Sequence, residues 1–193
     1  TATTNASSAP TALAPAQGLV MHGTADADTL TGLSLFSNVL IGGPGNDTLV
    51  GGTGDDTYVF DLGDGVDRIT DPGGNNALQF GSGITPNALS LGIGSLLIRV
   101  GTGGGAVHLE TFDPNDVYGP RDIENFRFAD GTTLTYTQLI ERGFDLAGTE
   151  GNDILSGTNV VDRIRGAGGD DVIVGGAGND YLNGGAGADT MSG

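Results

Sequence analysis

The side chains in this 193-residue chain that could do chemistry are aspartates, and they recur at a fixed interval. Asp153, Asp162, Asp171, Asp180 and Asp189 lie nine residues apart. Asp28, Asp47, Asp56 and Asp67 form a second, looser series in which Asn38 and Asn76 stand at equivalent places. A short carboxylate on tight backbone offers hard oxygen. Hard oxygen gathered from several turns suits calcium, which takes about six to eight oxygen ligands in a flexible shell. Magnesium needs a stricter, shorter octahedron. Transition metals favour imidazole or thiolate, and this chain has two His and no Cys.

Each aspartate is the sixth residue of a repeated unit. From Gly148 the chain reads GTEGNDILS, GTNVVDRIR, GAGGDDVIV, GGAGNDYLN and GGAGADTMS, then Gly193. The eighth residues are Leu155, Ile164, Ile173, Leu182 and Met191. An earlier block has the same grammar with two small insertions: GTADADTLT, GLSLFSNVLI, GGPGNDTLV, GGTGDDTYV, LGDGVDRIT and DPGGNNALQ. Its eighth positions carry Leu30, Leu40, Leu49, Tyr58, Ile69 and Leu78.

These units predict local geometry. Glycine lets a tight turn visit φ > 0 and aim its carbonyls at one point. On that ground Gly43, Gly45, Gly52, Gly54, Gly168, Gly176, Gly178, Gly185 and Gly187 are expected to line the metal with the Asp and Asn residues above. The last three residues of a unit form a short strand whose eighth residue points inward. Two units complete one coil, so turn k stacks on turn k+2. The expected pairs are Asp28–Asp47, Asn38–Asp56, Asp47–Asp67, Asp56–Asn76, Asp153–Asp171, Asp162–Asp180 and Asp171–Asp189. Asn38 and Asn76 should make weaker or empty sites. About seven calcium ions would bring roughly 14 positive charges against a formal net charge of −17. Without them, stacked carboxylates repel, and one inward aliphatic per unit cannot offset the backbone entropy of ordering it. Folding is therefore expected to depend on calcium.

The fold expected is all-β: two right-handed parallel β-rolls, two nine-residue units per coil, flanking a β-rich segment. Residues 1–22 read as a linker, 23–80 as the first roll, 81–147 as the intervening segment and 148–193 as a second, truncated roll. Within the intervening segment, ALSLGIG, SLLIRVG and AVHLETF read as strands. IENFRFADGTTLTYTQL reads as a hairpin turning at Asp130-Gly131 in type I′ geometry, followed by a helical turn near Thr137–Arg142. The seven basic residues are all Arg and cannot build a nucleic-acid-binding face. No apolar run is long enough to span a bilayer, and no disulfide can form.

The repeats resemble the RTX family (repeats in toxin, haemolysin-type calcium-binding repeats), most closely in GGAGNDYLN and GGPGNDTLV. TYVFDLGDGVDRITDPGGNNALQF, ITPNALSL and IENFRFADGTTLT resemble the domain that lies between or after such repeats. The resemblance implies calcium as cofactor. It also implies export from a Gram-negative bacterium through a type I secretion apparatus, and folding outside the cell or at its surface. It implies that the chain is a piece of a longer polypeptide, its main partner besides calcium, and monomeric as a fragment. No catalytic role is expected. Two alternatives remain: a carbohydrate- or host-surface-binding module centred on residues 81–147, and calcium-triggered self-cleavage at Asp71-Pro72 or Asp113-Pro114. His22, His108 and the Gly101–Gly105 loop read as structural. Asp26, Asp55 and Asp170 read as solvated or supporting groups.

Overall fold

A computed structural model describes residues 18–193. The first block supplies seven short strands: β1 (Val20–His22), β2 (Thr29–Thr31), β3 (Val39–Ile41), β4 (Thr48–Val50), β5 (Thr57–Phe60), β6 (Val66–Thr70) and β7 (Ala77–Phe80). The intervening segment adds β8 (Leu89–Gly92), β9 (Leu96–Val100), β10 (Gly105–Leu109), β11 (Asn125–Phe128), β12 (Thr133–Thr135), a helical turn α1 (Tyr136–Ile140) and β13 (Phe144–Ala147). The second block gives β14 (Ile154–Ser156), β15 (Asp162–Gly168), β16 (Val172–Val174), β17 (Tyr181–Ala186) and β18 (Thr190–Ser192).

Odd and even strands sort onto opposite sheets, as two units per coil require. β1, β3, β5 and β7 pair in parallel on one side, and β2, β4 and β6 on the other. In the second block β13, β15 and β17 form one side and β14, β16 and β18 the other. Eighth-position residues face inward: Leu40, Leu49, Tyr58, Ile69, Leu78, Ile164 and Ile173 are buried, and Leu30, Leu155 and Leu182 partly so. Met191, on an edge strand of its sheet, is 49% exposed.

The sheets run through the block boundaries. β10 continues the first roll by pairing in parallel with β6, and β11 does the same for β7. A meander of β8, β9 and β10 then bridges to β13, so one nine-stranded sheet extends from β2 to β17. The core thickens here. Phe80 stacks on Phe128 with ring centroids 5.1 Å apart, and Phe112 packs on Phe144, the first residue of β13, at 5.6 Å.

Three expectations need correction. Residues 1–17 of the expected linker lie outside the described residues, but Val20–His22 is a strand, paired with Val39–Ile41, because Met21 packs on the core. The β11–β12 hairpin is not type I′, since only Gly131 has positive φ (+87°). Asp130 instead accepts a hydrogen bond from the Thr132 N–H, closing an Asx turn. The helical turn starts one residue earlier, at Tyr136, where Thr135 and Gln138 form a capping box.

Candidate metal centres in the stacked turns

All seven expected pairs are brought together, and through one repeated contact. The backbone N–H of the sixth residue donates to Oδ1 of the sixth residue two units on. The distances are 2.8 Å for Asp28 to Asp47, 2.6 Å for Asn38 to Asp56, 2.9 Å for Asp47 to Asp67 and 2.8 Å for Asp56 to Asn76. In the second block they are 2.8 Å for Asp153 to Asp171, 3.0 Å for Asp162 to Asp180 and 3.0 Å for Asp171 to Asp189. The second carboxylate oxygen often turns back on its own unit. Asp28, Asp56, Asp153 and Asp162 each accept at Oδ2 from the N–H of the unit's second residue, four positions earlier.

That pattern leaves a remainder. Asp47 Oδ2, Asp67 Oδ2, Asp162 Oδ1 and Asp171 Oδ2 are buried and accept no hydrogen bond. Each belongs to a residue no more than 1% exposed. An unsatisfied buried acceptor costs about 1–3 kcal/mol, more when charged, so four in one molecule call for a partner. Burial pushes the Asp67 carboxyl up to about 7, with Asp47 and Asp64 adding repulsion, and it raises Asp64 and Asp162 too. Backbone carbonyls converge beside these carboxylates. A Cβ built at Gly148 would lie 2.5 Å from the Gly166 carbonyl oxygen and 2.7 Å from Asp153 Oδ2, and one at Gly157 would strike the Gly175 carbonyl and Asp162 Oδ2. The opening glycine of a unit thus keeps side-chain bulk out of a ring of oxygens. Among the described residues no three His, Cys, Asp or Glu side chains gather as a metal cluster. The donor set is one or two carboxylates completed by carbonyls. It is all hard oxygen, and it fits calcium.

The glycine expectations divide. Gly43, Gly45, Gly176, Gly178, Gly185 and Gly187 adopt positive φ. Gly52 and Gly54 do not; a Cβ at either would instead strike the Leu33 or Phe36 carbonyl of the irregular turn two units before. Gly168 ends strand β15, and the left-handed glycine of that turn is Gly169, at φ +103°. The second residue of the same unit is Ala167, held at φ +83°, where the following units have Gly176 and Gly185.

The two asparagines behave differently from the aspartates. Asn38 Nδ2 donates to the Leu33 carbonyl (3.0 Å), the Phe36 carbonyl (2.8 Å) and Asp56 Oδ1 (2.8 Å), while its Oδ1 accepts from the Leu19 and Leu33 N–H groups. Asn76 Nδ2 donates to the Asp122 carbonyl, and its N–H donates to Glu124 Oε2 at 2.7 Å. Glu124 immediately precedes β11 and so takes the sixth-position role in a turn that lacks the repeat sequence.

Sequence reasoning missed a second ladder. Fifth-position residues Asn46, Asp55, Asn152 and Asp170 accept the backbone N–H of the fifth residue two units on, namely Val66, Asn75, Asp170 and Ala188. The signal was the recurrence of Asn or Asp at that position. It also missed the buried knot closing the first roll. Tyr58 Oη donates to Asp71 Oδ2 (2.6 Å), and Asp122 accepts from the Asp71 and Thr111 N–H groups. Burial pushes the Asp71 carboxyl up to about 6. Asp71 and Asp113 each also accept the N–H two residues on, across Pro72 and Pro114, as Asx turns do. His108 Nδ1 meets Ser95 Oγ at 2.6 Å on the outer face of the long sheet.

Two family models agree with this geometry. A family model described as RTX calcium-binding nonapeptide repeat (4 copies) matches residues 34–67, 145–159 and 156–191. A second, described as haemolysin-type calcium binding protein related domain, matches residues 96–138. No curated protein matches. Among solved structures, the extracellular lipase LipA from Serratia marcescens is similar at 20% identity and TM-score 0.21 over 80% of this chain. The chain spans 28% of that lipase's length.

Proposed function

We propose, from its membership of the RTX haemolysin-type calcium-binding repeat proteins, that this chain is a calcium-binding module whose rolls fold when calcium binds and which serves an exported polypeptide. The observation that supports this reading most is the set of four buried, unpartnered carboxylate oxygens inside stacked turns. Calcium, when bound, supplies positive charge and an open shell for hard oxygen. The chain supplies the rest. Asp47, Asp67, Asp162 and Asp171, with their stacked partners Asp28, Asp153, Asp180 and Asp189, hold the ion together with turn carbonyls. The sixth-position N–H bonds keep successive carboxylates in register, and the opening glycines keep the ring open. The turns at Asn38 and Asn76 are satisfied by amide donors, so the occupied sites number fewer than seven.

The family's usual export through the type I secretion channel of Gram-negative bacteria suits such a chain. Where free calcium is scarce, carboxylate repulsion and the thin roll core favour an extended polymer. Where calcium is abundant, the turns close. In this reading the chain is not itself a catalyst. The Asp-Pro sites support that: Asp71 is held by Tyr58, Gly73 and Asp122, and Asp113 by the backbone of its own turn. Far-ultraviolet circular dichroism across a calcium titration tests the proposal, paired with metal analysis of the dialysed protein. Coil-to-β conversion with several ions bound per chain is expected. Superimposable spectra in calcium and in chelator would overturn the coupling. A denaturing gel of the calcium-loaded chain should show a single intact band, whereas fragments ending near residue 71 or 113 would restore the self-cleavage reading.

A further inference from the structure

The chain has seven Arg against 24 acidic residues, yet four of the seven border two neighbouring cavities on the outer face of the long sheet. The larger, about 650 Å³, is lined by Ser90, Arg99, Asp145, Arg163, Arg165 and Tyr181 along with apolar residues of β13 and β15. The smaller, about 340 Å³, shares Ser90 and Arg163 and adds Arg142. Strand register assembles the larger one. Ser90 lies opposite Arg99, Asp145 opposite Arg163, and Arg163 opposite Tyr181. Alternation along β15 puts Arg163 and Arg165 on the same face, about 7 Å apart.

The three guanidinium groups of the larger cavity are not equivalent. Arg163 is neutralised by Asp145 at 2.5 Å and also donates to the Arg142 carbonyl, so it is structural. Arg99 and Arg165 are exposed and make no ion pair or hydrogen bond among the described residues. Each offers five N–H donors in a planar fork matched to an oxyanion. Beside them Tyr181 is 65% exposed. An exposed aromatic face next to free guanidinium forks and a hydroxyl suits a ligand with an apolar face, hydroxyls and one carboxylate. The cavity exceeds the size of a bare oxyanion and falls within the range of small-ligand sites. A net charge of −17 disfavours a continuous polyanion lying along the chain.

We infer that the groove between Arg99, Arg165 and Tyr181 binds a carboxylate-bearing sugar unit, with the two guanidinium forks on the carboxylate and the tyrosine ring under the sugar face. The inference rests on the calcium-loaded fold only in needing β15 and β17 in place. It gives the carbohydrate-binding alternative a location that spans the intervening segment and the second block.

The test uses the full chain loaded with calcium, with circular dichroism on every sample so that loss of fold and loss of ligand are read separately. The probe is a hyaluronan tetrasaccharide, followed by amide chemical shifts and calorimetry. N-acetylchitotetraose serves as the neutral counterpart and a tetraglutamate peptide as the acidic non-sugar. The tetrasaccharide should shift the amides of β8, β9, β13, β15 and β17. The Arg99→Gln/Arg165→Gln double variant should weaken it at least tenfold, Tyr181→Ala should weaken it severalfold, and the neutral sugar should not bind. Undiminished binding by the folded double variant, no binding by the folded wild type, equal binding of the neutral sugar, or a peptide that binds as well and ignores Tyr181→Ala would each overturn the inference.

Discussion

The two edges of the first roll close by different chemistry. On one, Asp28, Asp47 and Asp67 stack, and the second oxygens of Asp47 and Asp67 are buried with nothing to bond. On the other, Asn38, Asp56, Asn76 and Glu124 stack, and no orphaned side-chain oxygen remains. A carboxylate brings only acceptors to a ring that already consists of acceptors, whereas a carboxamide brings two N–H donors. Asn38 shares its two among two carbonyls and a carboxylate, the kinds of oxygen that a cation would otherwise gather. The asparagine edge also runs into the aromatic core of the intervening segment through β7 and β11. In the proposed reading it is therefore the part of the roll suited to stand without calcium, and the aspartate edge is the part that needs it.

The strongest way to break this contrast is to exchange the groups. Asn38→Asp removes both amide N–H donors and buries a charge, so the calcium-free protein should lose about 2–3 kcal/mol. Much of the loss should return with calcium, and the metal stoichiometry should rise by one. Urea melts in chelator and in calcium read both, and equal losses in the two would place the asparagine among ordinary polar contacts. The second block, which has no asparagine at its sixth positions, allows a graded version. Asp171 stacks on both Asp153 and Asp189, whereas Asp189 stacks only on Asp171 among the described residues. Asp171→Ala should thus raise the calcium midpoint roughly twice as far on a logarithmic scale as Asp189→Ala, if neighbouring sites contribute additively. Equal shifts would argue against two-unit stacking as the basis of the sites.

Acid sharpens the contrast in chelated protein. The folded state holds the Asp67 carboxyl at about 7, above its unfolded value, so its ionised form opposes folding at neutral pH. That opposition fades as pH falls from about 7 toward 4, because a proton then neutralises the buried group. Residual β-structure in chelator should rise over that window, and Asp67→Asn should flatten the dependence. The smallest effect concerns backbone alone. Ala167 at φ +83° occupies a position where glycine is less strained, and Ala167→Gly should stabilise the calcium-loaded second block by about 0.5–1 kcal/mol in thermal melts.

Much of the fold was legible because its information is local and periodic. A nine-residue repeat with one inward position leaves few ways to stack, so all seven sixth-position pairs and the sorting of strands onto two sheets followed from spacing. Legibility failed where the period did. The extra residue in the unit from Gly32 is absorbed with Leu35 at φ +71°, and the left-handed glycine near Gly168 lies one residue later. Glu124 does the work of a sixth-position residue within a sequence that carries no repeat around it.

The amino-acid sequence determined the donor chemistry, the unit length and the dependence of k on k+2, because each is set by residue type and by neighbours along the chain. Only the tertiary structure decided which carboxylate oxygens stay unpartnered, which oxygens the Asn38 amide satisfies, and that Arg99, Arg165 and Tyr181 share a groove. Those outcomes depend on which strands lie side by side. Strand order in a sheet that passes through an unrepeated segment is set by burial of the phenylalanine core, not by any interval in the sequence.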